Sequence, residues 1–458
     1  MNNDIYFSNY SLDPETYYFL YIGELKCYGL NLFLRDMFAR TMDRPVAFIS
    51  IIPDILHQYN YGNIMVISPM LKQLQAISGN RICFRTEPGR FMEAVSEHPA
   101  VHELIDRILE HQDHLYINMY ESDPNMTLDQ RDEVSILGPD KELARKFNNK
   151  MVQYEMLRDK IPVIEFETCQ SMSDLLFRSE QKRQQWSDGI FVSKVYSAAG
   201  AASGITHSQA DIVHLFGGDD CIYLMSRYIP HEFDPTVLAV VANEEDVYIA
   251  GVADQNIEDG NRFVGSSWPS VLPLDIVHEL KEHTRVVGRE LGRRGYRGIF
   301  GCDYLVDRKN NVYFLEINAR KQGTTLEFCY TLEQALPPGS PSLPELEYHA
   351  VVCGSFPENT RERADDVVPL HWGTYNYKLK QARSTRGYIP QNPYERETFA
   401  KVAKGELLKD FVILEHIGSG LTVLPGTFLA RIVSVARNRR DVEEGLRQGK
   451  EIIQLTIE

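Results

Sequence analysis

The residues best equipped for chemistry cluster between Gly298 and Arg320, where two β-prone runs flank a polar turn. Asp303 and Glu316 supply carboxylates, Asn318 a carboxamide and Arg320 a guanidinium. If Asp307 pairs with Val312 around the loop Arg308-Lys309-Asn310-Asn311, Asp303 and Glu316 face each other across the ladder, Cβ atoms about 4.5–5.5 Å apart. Asn318 and then Arg320 follow on the same face. Two carboxylates held that close raise one another's pKa unless a cation sits between them. With the carboxamide oxygen they form a hard-oxygen set suited to Mg²⁺, or Mn²⁺ in its place, holding substrate phosphates. Arg320 could aim a planar fork at phosphate or carboxylate oxygens. The plainer alternative is a solvated surface hairpin. The apolar neighbours Ile299, Phe300, Leu305, Phe314, Leu315 and Ile317 favour burial, where unpaired charge is costly, and so favour the cation.

A second candidate lies upstream. Ile190 to Val195 reads as a strand carrying Lys194, and the tiny residues from Ser197 through Gly200 to Ser203-Gly204 follow it. Such a run lets backbone N–H groups approach a polyphosphate, with Lys194 as a compact charge. No Gly-Lys-Ser/Thr closes it, so it is not a Walker A loop, and a flexible turn is the alternative. Further upstream, Asn149-Lys150 opens a helical stretch that stops before Ile161-Pro162-Val163; alone, Lys150 reads as a solvated charge.

These residues need scaffolding. Residues 1–140 alternate strands and helices: Val46 to Ile52 is an apolar run suited to a buried parallel strand. Val101, Leu104, Ile105, Ile108 and Leu109 share a helical face, and Leu115 to Tyr120 reads as another strand. From 141 to 364 longer β segments dominate, Asp275 is placed to cap a helix, and Pro337-Pro338-Gly339-Ser340-Pro341 is a surface excursion or a lid. Residues 365–458 form a last α+β unit with strands at Phe411–Glu415 and Thr427–Ala436 and a helix from about Asp441. Gly418-Ser419-Gly420 reads as a hairpin bend or a turn at the site's mouth, and Arg383 and Arg386 as anion contacts or solvated charges. The expected class is therefore α/β and α+β, in several domains.

Lys150, Lys194 with its small-residue loop, Tyr223-Leu224-Met225-Ser226-Arg227-Tyr228-Ile229, Asp303, Glu316-Ile317-Asn318 and Arg320 stand in the order and rough spacing of the ATP-grasp superfamily, and residues 140–330 resemble its core. The resemblance implies ATP between two α+β subdomains, with a pre-ATP-grasp α/β domain at 1–140, the core at 141–364 and a substrate-capping unit at 365–458. It implies that Lys150 and Lys194 reach the phosphates and adenine N7, with Gly200 and Ser203 in the phosphate loop. Arg227, Tyr228 and Ile229 would form the adenine hinge and Glu232 would meet the ribose. Asp303, Glu316 and Asn318 would hold one or two Mg²⁺, and Arg320 with Lys194 would steady an acyl-phosphate. Ser226 stands where the hinge often has glutamate, and Pro230-His231 where glycine is usual. Val252-Ala253-Asp254-Gln255, Gly265-Ser266-Ser267-Trp268-Pro269 and Pro425-Gly426-Thr427-Phe428-Leu429-Ala430-Arg431 resemble the pheganomycin-type peptide-ligase branch.

The implied activity is a carboxylate–amine ligase that releases ADP and phosphate, joining an amino acid or peptide-like acid to an amine. An ATP-grasp enzyme with another acceptor (a carboxylase or thiol ligase) and a silent nucleotide-binding protein are the alternatives. Gln255 and Arg297 could line the acceptor side, and Arg297 could equally be a helix-end charge. The bulk properties agree. A length of 458 residues suits several domains, and the net charge of −16 argues against nucleic acid as partner. Seven scattered cysteines without CxxC spacing read as reduced core thiols. With no signal-like start and no apolar run of about 18 residues, no membrane partner and a cytoplasmic location are expected. A homodimer is compatible with the sequence. No HExxH or GxSxG motif supports hydrolysis, and His207, His214, His231, His278 and His283 are too dispersed to form a site.

Overall fold

The computed structural model describes residues 5–458 apart from 24–27, 54–61, 69–81, 84–87, 197–202, 218–220, 259–261, 388, 390–393 and 415. The N-terminal part comprises β1 (Ile5–Asn9), β2 (Tyr17–Ile22), α1 (Leu30–Thr41), β3 (Val46–Ile52), β4 (Ile64–Ser68), β5 (Ile82–Cys83), α2 (Pro88–Glu97), α3 (Pro99–Leu109), β6 (Leu115–Met119) and β7 (Val134–Leu137). Six of its strands form one sheet in the order β1-β4-β3-β2-β6-β7, parallel except where β1 meets β4. Helices cover the parallel strands on both faces, which is why β2 is apolar along its whole length instead of alternating. In α3 the expected stripe is buried: Val101, Leu104, Ile105 and Ile108 pack into this core, each contributing about 1.5–3 kcal/mol.

The middle of the chain opens with α4 (Lys141–Phe147) and α5 (Lys150–Leu157). It continues through β8 (Phe166–Cys169), α6 (Met172–Lys182), β9 (Ile190–Lys194), β10 (Ser203–Thr206), α7 (Gln209–Phe216) and β11 (Tyr223–Arg227). Here four antiparallel strands, ordered β10-β9-β11-β8, are backed by α6 and α7 around Trp186, Tyr223 and Phe216. Next come β12 (Pro235–Val241), β13 (Val247–Glu258), β14 (Arg262–Trp268), α8 (Leu274–Arg293), β15 (Gly298–Val306), β16 (Val312–Asn318), α9 (Thr325–Ala335) and α10 (Leu343–Val352). Completing the chain are β17 (His371–Lys378), β18 (Arg383–Ser384), α11 (Glu395–Lys404), β19 (Lys409–Leu414), β20 (Thr422–Val423), β21 (Phe428–Ala436) and α12 (Arg439–Gln454).

One antiparallel sheet, β16-β15-β12-β13-β14-β17-β21-β19, spans both of these stretches. The strands of the C-terminal unit therefore extend the sheet that carries the candidate site, joined where β14 pairs with β17. Trp268 and Trp372 sit in register at that seam, stacked with ring centroids 6.5 Å apart, and Phe328 meets Trp372 edge-on.

Several expectations differ in detail. Pro273 occupies the N-cap position of helix α8, and Asp275 lies within its first turn without capping it. The proline-rich segment joins α9 to α10, where Ser342 and Glu345 form a capping box. Helix α12 is capped by Asn438, whose side chain accepts from Asp441 N. Cys169, Cys302 and Cys329 are buried thiols, as expected, but Cys353 is exposed. Gly418 and Gly420 take positive φ in the bend between β19 and β20.

Candidate active site

Strands β15 and β16 set Asp303 opposite Glu316, but not by the simple hairpin register. Val306, rather than Asp307, pairs with Val312, and a bulge at Leu315 restores the expected partnership: Tyr304 faces Phe314, then Asp303 faces Glu316. Asp307 instead knits the turn, accepting from the backbone N–H groups of Lys309 and Asn311 at 2.8 and 2.9 Å. The outer edge of β16 is held by a side chain standing in for a strand. Gln153 of α5 accepts from Ile317 N and donates to Ile317 O, both at 2.8 Å, and the same amide also donates to Phe147 O at 2.7 Å.

Asp303 is nearly fully buried. Thr236 Oγ1 donates to its Oδ1 at 2.6 Å, and Gln322 Nε2 donates to that oxygen at 3.3 Å and to Thr236 Oγ1 at 3.0 Å. Asn318 Nδ2 donates to the other oxygen, Oδ2, at 2.9 Å. Burial, followed by the Glu316 carboxylate, pushes the Asp303 carboxyl up to about 6; the bonds from Thr236, Gln255 and Asn318 pull the other way. Gln322 reaches this place because residue 301 is glycine: a Cβ there would meet Gln322 Cδ at 2.0 Å.

Cations from two other elements converge here. Lys150, the first residue of α5 behind its cap Asn149, places Nζ 2.6 Å from Glu316 Oε2. Arg320 Nη2 donates to Asn318 Oδ1 at 3.0 Å and Nη1 donates to Lys321 O at 3.0 Å and Tyr120 Oη at 3.2 Å; Nε lies 3.5 Å from Glu121 Oε2. Tyr120 also presents its ring to the guanidinium, with 5.5 Å from Cζ to the centroid. Asn148 ties these parts together, donating to Glu121 Oε1 and accepting from Ala319 N, both at 2.9 Å. The donor set is chemically suited to a hard divalent cation: two facing carboxylates, one with a raised pKa, and a carboxamide, already neighboured by an ammonium and a guanidinium. Among the described residues no cluster of three or more His, Cys, Asp or Glu side chains offers a softer metal site.

Lys194 ends β9, and Ser203 begins β10 paired with Ser193; the small residues between them from 197 to 202, Gly200 included, lie outside the described residues. At the end of β11, Arg227 N donates to Glu165 O at 2.9 Å and Tyr228 N to Gly189 O at 3.0 Å. Ile229 packs with Ile164 and Leu305, flanked by Tyr313 and the bulge residue Leu315. His231, in the position usually glycine, locks the turn: Nδ1 contacts Ile229 O at 2.8 Å and Nε2 lies 2.9 Å from Asp234 Oδ1, a partner that raises the imidazole pKa. Glu232 N donates to Val306 O at 3.0 Å and its carboxylate is exposed. A fixed turn, a strand ending in a lysine and a facing carboxylate pair are groups whose chemistry suits a nucleoside triphosphate and its cation.

A protein-family model described as "ATP-grasp domain" matches residues 147–324, from the start of the Lys150 helix to the segment after Arg320. These residues form an ATP-grasp domain. A curated relative, the [butirosin acyl-carrier protein]–L-glutamate ligase of Niallia circulans, is 21% identical over 208 residues, covering 44% of this chain and 49% of the relative. The aligned stretch thus spans about half the length of that relative. The fold likeness extends beyond the ATP-grasp domain. A biotin carboxylase from Campylobacter jejuni, solved as a β,γ-ATP complex, matches with a TM-score of 0.63 at 13% identity, over 95% of this chain and 90% of that one. An N5-carboxyaminoimidazole synthase from Aspergillus clavatus, solved with ADP and 5-aminoimidazole ribonucleotide, matches at 0.57 with 16% identity, over 96% and 100%. At such identities the likeness is one of fold.

Of the other candidates, Arg297 is exposed and Arg386 donates from Nε to Leu455 O at 3.0 Å, at the end of α12. Arg383 is exposed on β18. Asp254 ties the turn after β14 and helix α12 together: Ser270 Oγ donates to it at 2.5 Å, Val271 N at 2.9 Å and Arg439 Nη2 at 3.2 Å. Gln255 bonds Asp303 instead. Sequence reasoning missed Thr236, Gln322, Gln153, Tyr120 and Glu121. A glycine inside the β15 pattern and a glutamine on the packed face of a helix were signals for two of them.

Proposed function

We propose that this protein is an ATP- and Mg²⁺-dependent ligase that activates a carboxylic acid as its acyl-phosphate and transfers the acyl group to an amine. The observation that carries this reading is the facing pair Asp303 and Glu316, with Lys150 on Glu316 and Arg320 on Asn318. Asp303, Glu316 and Asn318 would hold Mg²⁺, whose chemical contribution is to neutralise charge on the transferring phosphoryl group. Lys150 and Lys194 bind phosphate oxygens, and Ile229, Ile164, Leu305 and Leu315 offer apolar surface to the adenine. Arg227, Tyr228, Gly200 and Ser203 complete the nucleotide contacts, and Glu232 is placed for the ribose.

The acid's oxygen attacks the γ-phosphorus and ADP leaves. The amine nitrogen then bonds to the acyl carbon, the carbon–oxygen bond to phosphate breaks, and the amine gives up a proton. Arg320, fixed on several sides, steadies the phosphate that forms and later departs. The reaction needs positioning and charge neutralisation rather than a nucleophilic side chain. The relative named for an acyl-carrier protein and L-glutamate supports an amino acid as one of the two substrates, with a carrier as a candidate partner beside small-molecule acids and amines.

ATP turnover with Mg²⁺ against paired acids and amines, with products weighed, tests this. A product equal to both substrates less water, formed with ADP, supports the reading. Turnover only with a thiol would replace the amine by that acceptor, and turnover only with bicarbonate would replace the carboxylic acid.

A further inference from the structure

Residues 318–325, which leave the metal-facing strand and enter α9, are gripped from three directions. Lys321 Nζ donates to Met119 O in the N-terminal sheet at 2.7 Å, and Gln322 reaches back to Asp303. The third grip comes from the far end of the chain. Arg431 Nη2 on β21 donates to Gly323 O at 2.8 Å and closely to Glu327 Oε1 in the first turn of α9. Arg431 is nearly fully buried and Glu327 fully so. Arg431 is held in place by pairing on both sides, opposite Asn376 of β17 and Leu414 of β19.

As a stabilising device this pair is poorly made. Glu327 Oε2 and Thr324 Oγ1, both buried, have no hydrogen-bond partner among the described residues. An orphaned buried acceptor costs about 1–3 kcal/mol, and a buried ion pair is often no better than apolar residues of the same size. What the pair does supply is a rigid link from the C-terminal sheet to the carbonyl of the residue beside Gln322. We propose that Arg431, together with Glu327, is a positioning element for the catalytic segment: it fixes Gly323 so that Gln322 holds Asp303 Oδ1 and leaves Oδ2 directed at the Asn318 side. The C-terminal unit is then part of the catalytic apparatus. This inference rests on the proposed Mg²⁺–ATP site.

The test uses the full chain and three variants, Arg431→Lys, Glu327→Gln and the charge-free double Arg431→Met/Glu327→Leu. Each is read by thermal melting and by the Mg²⁺ concentration that half-saturates ATP binding in calorimetry. A merely structural pair predicts that the double variant, having lost both buried charges, melts near the wild type and binds Mg²⁺–ATP like it. A positioning pair predicts that the double variant regains melting temperature over the singles yet still needs about tenfold more Mg²⁺, because displacements of about 1 Å degrade a preorganised site by such factors. Wild-type Mg²⁺ dependence in the double variant overturns the inference alone. A wild type that binds no ATP with Mg²⁺ overturns the proposed function and this inference with it.

Discussion

Lys150 Nζ lies 2.6 Å from Glu316 Oε2, so an ammonium from the start of a helix rests on one of two carboxylates that face each other across β15 and β16. That contact places a cation on a long aliphatic stem where phosphate and metal would compete for it. Lys150→Met keeps the aliphatic stem and removes the charge. We expect the KM for ATP to rise at least tenfold, with a destabilisation of about 1–3 kcal/mol, since the pair is largely buried and Glu316 is left facing Asp303 without its cation. Steady-state kinetics and melting on the same preparation check both halves.

Asp303 is a buried acid pushed towards neutrality by its surroundings, the signature of a group kept for function at a cost in stability. Asp303→Asn retains a side chain that can meet Thr236 and removes the like-charge contact with Glu316. The expected result is a melting temperature equal to or above the wild type and turnover reduced by about a hundredfold or more. A variant that loses stability and keeps its turnover contradicts this assignment.

Gly301→Ala is a packing experiment on the same oxygen. The added Cβ would come within 2.0 Å of Gln322 Cδ, so Gln322 must leave Asp303 or the strand must move. We expect a destabilisation of about 1–3 kcal/mol in chemical unfolding. Turnover should fall more than Lys150→Met lowers it at saturating ATP.

The legible and illegible parts of this site divide along physical lines. Residue type and approximate spacing placed Asp303 opposite Glu316, yet through a register that is off by one at the turn; the bulge at Leu315 compensates. Nothing marks Leu315 as a bulge, because its side chain suits any strand of that pattern. The parallel strand Val46–Ile52 and the helix Pro99–Leu109 were readable because apolar periodicity follows from burial. The partners of Arg320 were not: Tyr120 and Glu121 lie some two hundred residues away, and only the packing of the N-terminal sheet against the segment after Asn318 brings them in. The run of the C-terminal strands into the central sheet was equally hidden, since pairing of β14 with β17 is a tertiary fact.

Away from the site, His416 gives a pH prediction. Its Nδ1 accepts from Gly418 N at 3.1 Å and its Nε2 meets Thr456 Oγ1 at 2.9 Å, which fixes a neutral ring, and burial lowers its pKa to about 4. The unfolded chain, titrating near the ordinary histidine value, takes up the proton first. The stabilisation is therefore complete above a pH of about 6.5 and is lost as the pH falls through about 4, a difference on the order of 3 kcal/mol. His416→Gln, which can keep both hydrogen bonds, should flatten this part of the acid limb in urea unfolding.

The central claim is activation of a carboxylate by phosphoryl transfer, and the most direct measurement follows an oxygen atom. An acid substrate labelled with heavy oxygen in its carboxylate is turned over with ATP, Mg²⁺ and the amine, and the released phosphate is weighed. The account predicts ADP together with phosphate carrying one labelled oxygen from the acid. AMP and pyrophosphate, or ADP with unlabelled phosphate, would contradict it.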